Sequence, residues 1–416
     1  MKNLTIGLEK ALQLTLEHSK PFAVEHIELT KCTDRIAASD LSALVDVPSM
    51  DSSSKDGYAV RSREVADASP DMPVRLNLTG QLAAGGNQIM VLKPKTTVRV
   101  LTGARIPTGA DAVLSEEFTK PEGSDILVMN CAEQGRNILL HGRDMKSRTC
   151  ILNKGQQISP GILGLIAAAG YNSIPVFKNP TVAIIGTGDE IVAPGMPLPE
   201  GKLYASNIMT IHAWCTRYGM KTLMRVVNDD FDTLTGTLKI FSADADAVIT
   251  SGGAWTGDHD LVAKVLEGLG WQQYFHRIRI GPGKAVGFGL LDKKPVFILP
   301  GGPPSNLIGF LQIALPGLLA LAGHAHPHLP RMNARLAADL EGRERDWTHF
   351  FFGRLEDDKG SPVFHPLNSR SRLRDMAVAD AIASIPEGKG SLLKGEMISV
   401  QVLKQLSSPD QMNDFL

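Results

Sequence analysis

The chain has 416 residues and a mass of 44.8 kDa, and 43% of its residues are hydrophobic. It is too long for one hydrophobic core, and its composition is typical of a soluble protein with several domains. Its 43 basic and 44 acidic residues give a formal net charge of -1. With this balance the protein as a whole does not attract nucleic acid or an anionic membrane electrostatically, so neither is a predicted partner. Any site that binds an anion has to depend on a local group of positive charges.

The cysteines exclude two further classes of protein. The chain has four, far apart and without a C-x-x-C pair: Cys32, Cys131, Cys150 and Cys215. Such spacing argues against a structural zinc site and against a disulfide framework. We therefore expect a cytoplasmic protein with reduced thiols.

The N-terminal part is predicted to be mainly β structure after one helix. Apolar residues recur at a helical period from Leu4 to Leu12, which predicts an amphipathic helix that ends near Pro21 and not a signal peptide. Up to about residue 178, short alternating runs are separated by glycine and proline, which favours β structure. A second helix is predicted over 161–170.

The middle of the chain is predicted to be an α/β domain. Between about 180 and 320, short β-rich runs alternate with segments of helical period, the pattern of a parallel sheet covered by helices. The predicted strands are 181–185, 223–227, 247–250 and 296–299, and the predicted helical faces span 211–218 and 261–269.

An apolar run at 307–323 falls short of the ~20 residues that a bilayer requires. It contains Gln312 and Pro316, so we expect a buried helix that breaks at the proline. The polar segment HAHPHLP follows from His324, and its spacing matches no zinc motif. Alternating segments separated by turns then predict a small C-terminal β domain.

Polar turns follow each of the four central strands. Ligands of open α/β sheets bind at the carboxyl ends of the strands, so these turns are expected to lie together. They contain carboxylates, which suit Mg²⁺, and glycines, which allow backbone N–H groups to approach an anion. The residues concerned are Asp189, Glu190, Asp229, Asp230, Ser251, Gly252, Gly253, Asp258 and Gly301. Helix capping and turn formation explain each of them equally well when it is taken alone.

Two basic features accompany these turns. A Gly-Pro-Gly turn presents Lys284, and the C-terminal part contains Arg354 and the run SRSRLR at 369–374. Charge runs usually form solvated faces, which is the simpler explanation for the arginine run.

Seven motifs together resemble the MoeA family and the gephyrin E domain. VPSMDSSSKDGYAVR is similar to the family's S-x-M-D-G-Y-A-V segment, and LTGARIPTGADAVLSEE, residues 101–117, to its T-G-x-x-x-P-x-G-A-D-A-V signature. GRNILLHGRDM, GTGDEI and SGGAWTGDHD, and then GPGK and LPGGPPS, match later segments in the right order. The resemblance covers nearly the whole chain.

The resemblance implies an architecture and an assembly. It implies a central molybdopterin-binding (MogA-like) domain, a β-rich N-terminal part with an inserted domain, and a C-terminal β barrel. We place these parts at 1–178, with the insertion at about 50–140, then at 179–325 and 326–416. It also implies a homodimer whose active site lies between the central domain of one subunit and the inserted domain of its partner, so that Asp56 and Thr102 act across the dimer.

The implied reaction is the Mg²⁺-dependent insertion of molybdate into adenylylated molybdopterin with release of AMP. Glu190 and Asp260 would hold Mg²⁺, and Asp144 lies at an acidic position of the family. The predicted catalytic residues are Asp56, Thr102, Asp144, Glu190, Asp260 and Lys284. The predicted substrate-binding residues are Ser251, Gly252, Gly253, Asp229, Asp258, Gly301, Ser305, Arg354 and Ser371, of which the last three, with Lys284, align with molybdate-binding positions.

The chain departs from the family's motifs at several positions. Lys55 replaces methionine, Gly281 replaces the first lysine of K-P-G-K, Ala285 its following proline, and Gly302 the asparagine of P-G-N-P. Residues 254–256 replace V-S-V. Tungstate as the oxyanion, a non-catalytic paralogue that binds pterin or oxyanion, and a pterin adenylyltransferase remain alternatives. A pterin-adenylylating enzyme and molybdoenzyme chaperones are the expected protein partners.

Overall fold

The computed structural model describes residues 5–86, 88–253, 261–367 and 372–404. Asp258, Asp260, Ser371 and the departures at 254–256 lie outside these ranges. Helices in the described residues are α1 Leu8–His18, α2 Pro160–Ala168, α3 Ser206–Arg217, α4 Phe231–Asp244, α5 Leu261–Gly268, α6 Pro303–Gly309, α7 Leu315–Leu321 and α8 Arg372–Val378.

The N-terminal part is β-rich, as predicted. Its strands are β1 Val24–Glu28, β2 Leu41–Ser42, β3 Ser52–Ser53, β4 Gly57–Val60, β5 Val74–Leu82, β6 Thr96–Val100, β7 Ala112–Ser115, β8 Thr119–Glu122, β9 Asp125–Val128, β10 Ile138–Leu139, β11 Cys150–Leu152 and β12 Ser173–Phe177. Strands β4 to β9 form a six-stranded sheet in the order β7-β4-β6-β5-β9-β8. The other strands pair two by two, β1 with β12, β2 with β11 and β3 with β10. The strands before and after the six-stranded sheet in sequence pair with each other, as β3 does with β10. The sheet is therefore an insertion in the chain.

The central part is a sheet buried on both faces. Its strands are β13 Thr181–Thr187, β14 Ile191–Val192, β15 Leu203–Tyr204, β16 Lys221–Val227, β17 Ala247–Ser251, β18 Gln272–His276, β19 Ile280–Gly281, β20 Gly287–Leu291 and β21 Lys294–Leu299. The sheet order is β16-β13-β17-β21-β20-β18, and the first four strands are parallel. These four are the predicted strands, so the prediction is confirmed. The antiparallel strands β18 and β20 were not predicted.

Alternate residues of β13 show how the sheet is covered. Val182 and Ile184 pack in one core with α3, α6 and α7, whereas Ala183 and Ile185 pack in a second core with α4 and α5. Side chains alternate between the faces of a strand, so a continuous apolar run is needed when both faces are covered. The result is a domain of three layers, with the sheet between two layers of helices. The ends of the strands remain accessible at one edge of the sheet.

The apolar run after β21 is one long buried helix, and the predicted break at Pro316 is wrong. Residues Phe310–Ala314 form a π-helical turn between α6 and α7, and Pro316 lies in the first turn of α7. A π turn widens the helix and accommodates a proline, which has no N–H and whose ring crowds the preceding turn. Pro303–Leu321 has the length and composition to cross a membrane, but 83% of its apolar stretch is buried inside the protein, as in the core helix of a soluble protein.

The C-terminal part is a closed five-stranded barrel, as predicted. Its strands are β22 Arg331–Leu336, β23 Leu340–Glu341, β24 Thr348–Asp358, β25 Ser361–Pro366, β26 Ala381–Ile385, β27 Ser391–Leu392 and β28 Met397–Val402. The order β24-β25-β22-β28-β26 closes because β24 also pairs with β26. Strand β19 of the central part joins this sheet beside β24. The barrel is thereby attached next to Lys284.

One buried and one partly buried histidine, His276 and His324, make folding stability depend on pH. Burial lowers the pKa of His276 and of His324 to about 4, and the positive charge of Arg277 adds to the effect at His276. In the unfolded chain the histidine pKa is about 6.5. Between pH 6.5 and pH 4 the unfolded chain therefore binds more protons than the folded protein, so folding stability is lost as pH falls through this range. Each histidine contributes up to roughly 3 kcal/mol at ~1.4 kcal/mol per pKa unit.

Urea unfolding at pH 7 and pH 4.5 measures this loss. We expect His324→Gln, which cannot become charged, to lower stability at pH 7 but to reduce the difference between the two pH values. His26→Gln, at an exposed histidine, is the matched control and should leave the pH difference unchanged. An equal pH difference in the His324 variant would contradict the prediction.

Candidate active site

A cavity of about 90 Å³ lies at the carboxyl ends of the parallel strands. Four of the predicted residues line it: Glu190, Ser251, Gly252 and Gly301. The first follows β13, the next two end β17, and the last precedes α6. The cavity thus occurs at the sheet edge where the order of strands predicts ligand binding.

The loop after β17 depends on its two glycines. Gly252 has φ +102°, and a Cβ there would overlap the carbonyl oxygen of Thr187 on the neighbouring strand. Gly253 has φ +66°, and a Cβ would lie 2.6 Å from Cγ2 of Val262. Only glycine suits positive φ combined with so close a backbone approach. The glycines are therefore required by the loop, whatever the cavity binds.

The two aspartates after β16 have different roles. Asp230 caps α4 by accepting a hydrogen bond from the Thr233 backbone N–H at 2.8 Å, and its contacts with Thr233 lower its pKa. Asp229 accepts from Thr187 Oγ1 at 2.6 Å, and its own N–H donates to Asp189 Oδ1 at 3.1 Å. Helix capping thus explains Asp230, whereas Asp229 ties together the turns that follow β13 and β16.

A second cavity, of about 360 Å³, lies where the central part meets the barrel. Lys284 lines it, as do Arg343, Trp347 and His349, and neither Glu190 nor Ser251 does. The first turn of α6 connects the two cavities: Pro303 lines the first, and a Cβ on Gly283 would lie 3.1 Å from the carbonyl oxygen of Ser305. The residue before Lys284 therefore lies against the first turn of α6, but Lys284 and Glu190 do not share a cavity in the single chain.

Asp56 and Thr102 lie together in the inserted sheet. Asp56 Oδ1 accepts hydrogen bonds from the Thr102 backbone N–H at 2.6 Å and from Thr102 Oγ1 at 2.7 Å. The backbone hydrogen bond is the main cause of the lowered pKa of Asp56, followed by the threonine hydroxyl and, after a smaller opposing effect of desolvation, by the charge of Arg99. Asp56 is thus held as an exposed carboxylate, and it lines neither of the two cavities.

Asp144 and Arg354 lie elsewhere in the single chain. Asp144 is exposed, and its N–H donates to the carbonyl oxygen of Val47 at 3.0 Å. Arg354 is half-buried on β24, opposite His365 of β25. Neither lines the two cavities described above.

Comparisons with known proteins match nearly the whole chain. Three family models match in order: the MoeA N-terminal region (domain I and II) at 6–170, a probable molybdopterin binding domain at 183–320, and the MoeA C-terminal region (domain IV) at 333–403. Molybdopterin molybdenumtransferase 2 of Mycobacterium tuberculosis is 30% identical over 90% of this chain and 94% of its own length. The chain belongs to the MoeA family.

Further MoeA relatives agree with this placement. The molybdopterin molybdenumtransferase of Bacillus subtilis is 29% identical over 97% of this chain and 95% of its own length. A solved structure titled as a molybdopterin biosynthesis MoeA protein from Pyrococcus horikosii is 32% identical, covers 97% of this chain and 100% of its own, and superposes with a TM-score of 0.82. The fold and the recognition of the family from sequence are thereby confirmed.

Gly281, where the MoeA pattern has a lysine, lies against a buried histidine. A Cβ at this position would lie 3.0 Å from Nδ1 of His349, a ring that is 8% exposed. Nε2 of the same ring lies 2.9 Å from the carbonyl oxygen of Glu344 and 3.2 Å from its backbone nitrogen. The imidazole is fixed against Gly281, so glycine here and histidine at 349 depend on each other.

Restoring the family's lysine therefore tests this coupling. We expect Gly281→Lys to lower the free energy of unfolding by about 1–2 kcal/mol, the usual cost of adding volume to a packed site. His349→Ser should remove most of that cost when combined with Gly281→Lys. Urea unfolding of both single variants and the double variant measures the coupling. Additive losses would show that the two positions are independent.

Two asparagines that contact Ser251 of the first cavity were missed from sequence. Asn207 lies in the first turn of α3 and lines the cavity, and Asn306 lies in the first turn of α6, only 2% exposed. Both donate hydrogen bonds to Ser251. A polar amide at the head of the apolar run that begins at Leu307 was the available signal for Asn306.

Proposed function

We propose that this protein inserts molybdate into adenylylated molybdopterin in an Mg²⁺-dependent reaction that releases AMP. It is a transferase of molybdenum cofactor biosynthesis, a molybdopterin molybdenumtransferase like its relatives in the MoeA family. The observation that supports this most is the pairing of two adjacent sites. Helix α6 contributes Pro303 to the glycine-rich cavity at the sheet edge, and its Ser305 lies against Gly283, the residue before Lys284 of the second cavity.

The two sites suit the two halves of the reaction. The substrate has a dithiolene, a phosphate and a phosphoanhydride to AMP, and molybdate is a dianion, so local positive charge is required. The N-terminus of the helix that begins at Pro303 favours negative charge at the first cavity. Lys284 and Arg343 provide cationic donors at the second. Water adds across the phosphoanhydride as its P–O bond breaks, so AMP leaves and the pterin keeps its phosphate. The two dithiolene thiols bind molybdenum as their two protons leave with one molybdate oxygen as water.

Mg²⁺ fits the first cavity through a carboxylate. The ion is usually held by one or two carboxylates together with substrate phosphates and water, so Glu190, exposed at the cavity, is a suitable ligand. Asp260, the second predicted ligand, lies outside the described residues. When bound, Mg²⁺ would neutralise charge on the phosphoanhydride.

The proposal is tested by AMP release. The purified protein, given adenylylated molybdopterin, Mg²⁺ and molybdate, should release AMP, and omission of Mg²⁺ or replacement of Glu190 with glutamine should slow the release more than tenfold. Binding of the pterin without AMP would indicate the non-catalytic paralogue. Consumption of ATP with unadenylylated pterin would indicate the preceding adenylylation step.

The proposal includes a homodimer with shared active sites. Asp56 and Thr102 line neither cavity of the single chain, in agreement with an action on the partner's site. We expect Asp56→Ala and Lys284→Ala proteins each to be nearly inactive. After their subunits are exchanged, hybrid dimers contain one site with both residues intact, and activity should recover to about a quarter of wild type by random mixing of two equal populations. If activity does not recover, Asp56 and Lys284 of one subunit act in the same active site.

The reaction is expected to take place in the cytoplasm. All four cysteines are free, and Cys32 and Cys215 are buried. Burial raises the pKa of the Cys215 thiol to about 12, which keeps this sulfur protonated and unreactive. A pterin-adenylylating enzyme would supply the substrate, and molybdoenzyme chaperones would receive the product.

A further inference from the structure

Ser251, at the end of β17, is held by the side-chain amides of two other residues. Nδ2 of Asn306 lies 2.9 Å from Ser251 Oγ, and Nδ2 of Asn207 lies 3.3 Å from the same oxygen. Ser251 is 4% exposed and Asn306 is 2% exposed. Ser251 and Asn207 both line the first cavity, and Asn306 supports Ser251 from the buried side.

The orientation of both amides is fixed by main-chain carbonyls. Nδ2 of Asn306 is also 2.9 Å from the carbonyl oxygen of Pro300, and Nδ2 of Asn207 is 2.7 Å from that of Gly301. A carbonyl oxygen only accepts hydrogen bonds, so the group that faces it has to be the NH₂ end of the amide. The second hydrogen of each NH₂ group is therefore directed at Ser251 Oγ.

This arrangement determines what the hydroxyl can do. A serine hydroxyl has two acceptor lone pairs and one hydrogen, and both lone pairs of Ser251 are used by the asparagines. Its hydrogen has no protein acceptor among the described residues. The hydroxyl is therefore available to donate into the cavity that it lines, and the two bonds that it accepts strengthen it as a donor.

We propose that Asn207 and Asn306 are positioning residues that make Ser251 a fixed hydrogen-bond donor to an acceptor oxygen of the substrate. The inference rests on the proposed function, since it assigns the first cavity to the pterin substrate. A phosphate oxygen and a pterin carbonyl have the same acceptor chemistry. Inorganic phosphate added as a competitor distinguishes them, because it competes only when the phosphate is the group that is bound.

The variant Asn306→Asp tests the inference while keeping the size of the side chain. A carboxylate accepts hydrogen bonds, so it takes the hydrogen of Ser251 that the substrate would otherwise receive. We expect KM for adenylylated molybdopterin to rise about tenfold, which corresponds to roughly 1.4 kcal/mol, with kcat changed less than about twofold. Ser251→Ala should raise KM by a similar factor.

The decisive comparison is the double variant. If Asn306 acts through Ser251, Asn306→Asp adds nothing to the KM of Ser251→Ala, whereas two independent structural losses multiply. Gln312→Glu is the matched control, because it places a carboxylate at another buried amide of the same helix, paired with Gln401 at 2.7 Å. It should leave KM unchanged. Asn207→Asp, at a half-buried position, replaces Asn306→Asp should that variant fail to fold.

The failures of the two proposals are distinguishable. A wild-type protein that releases no AMP overturns the proposed function. An active wild-type protein whose KM losses multiply in the double variant, or whose Gln312→Glu control rises equally, overturns the positioning role of the asparagines.

Discussion

Replacing Gly252 with alanine should abolish most of the activity and destabilise the central domain by about 3 kcal/mol. A left-handed backbone conformation costs an L-residue about 1–2 kcal/mol, and φ at Gly252 is +102°. In addition, the new Cβ would overlap the carbonyl oxygen of Thr187, so β13 and β17 would have to separate at their carboxyl ends. AMP release should fall more than a hundredfold, because the same strand ends form the cavity.

Two other glycines serve as controls for this prediction. At Gly301 a Cβ would lie 3.7 Å from Cα of Gly252, an ordinary contact, so Gly301→Ala should change the free energy of unfolding little. Gly236 lies within α4 with open space around its Cβ position, and Gly236→Ala should stabilise the protein by about 0.5–1 kcal/mol. Urea unfolding measures all three variants. A Gly252→Ala protein as stable as wild type would refute the account of this loop.

Replacing Lys284 with alanine should raise KM for molybdate roughly tenfold to a hundredfold. A hydrogen bond to a charged group contributes about 1.5–3 kcal/mol, and the departure at Gly281 leaves glycine where the family has a second cation beside this one. Lys284 is exposed at the cavity, so its removal should not change folding stability measurably. Lys284→Arg should recover only part of the affinity, because guanidinium and ammonium groups donate with different geometry.

Initial rates of AMP release at varied molybdate concentration measure the effect of Lys284. Lys10→Ala, at an exposed lysine of α1, is the matched control and should leave KM unchanged. Equal KM values for wild type and Lys284→Ala would show that the oxyanion is held elsewhere.

The fold could be predicted where the hydrophobic pattern of a segment was compatible with only one kind of secondary structure. Three of the four parallel strands, β13, β17 and β21, are runs buried on both faces, and such runs are distinctive in sequence. Strand β18 and helix α4 were not predicted. The first, QQYFH, has no apolar alternation, and the second, FDTLTGTLKIFSAD, has a weak helical period with polar residues between its buried positions. Tertiary packing, and not local propensity, decides such segments.

The candidate site could be predicted only in part. The glycines of the loop after β17 are recognisable, because positive φ and close strand approach leave few alternatives to glycine. The division of the site into two cavities could not be predicted, since it depends on how strand β19 joins the barrel and how Gly283 meets Ser305. The roles of His349, Asn207 and Asn306 depend on contacts between distant segments, which no local motif encodes.

The stoichiometry of a single turnover tests the central claim most directly. Protein, Mg²⁺ and adenylylated molybdopterin are mixed with molybdate, and released AMP and pterin-bound molybdenum are both quantified. The account predicts equal amounts of the two products from the wild-type protein, with neither formed by the Gly252→Ala variant. Release of AMP without bound molybdenum, or no release at all, would contradict it.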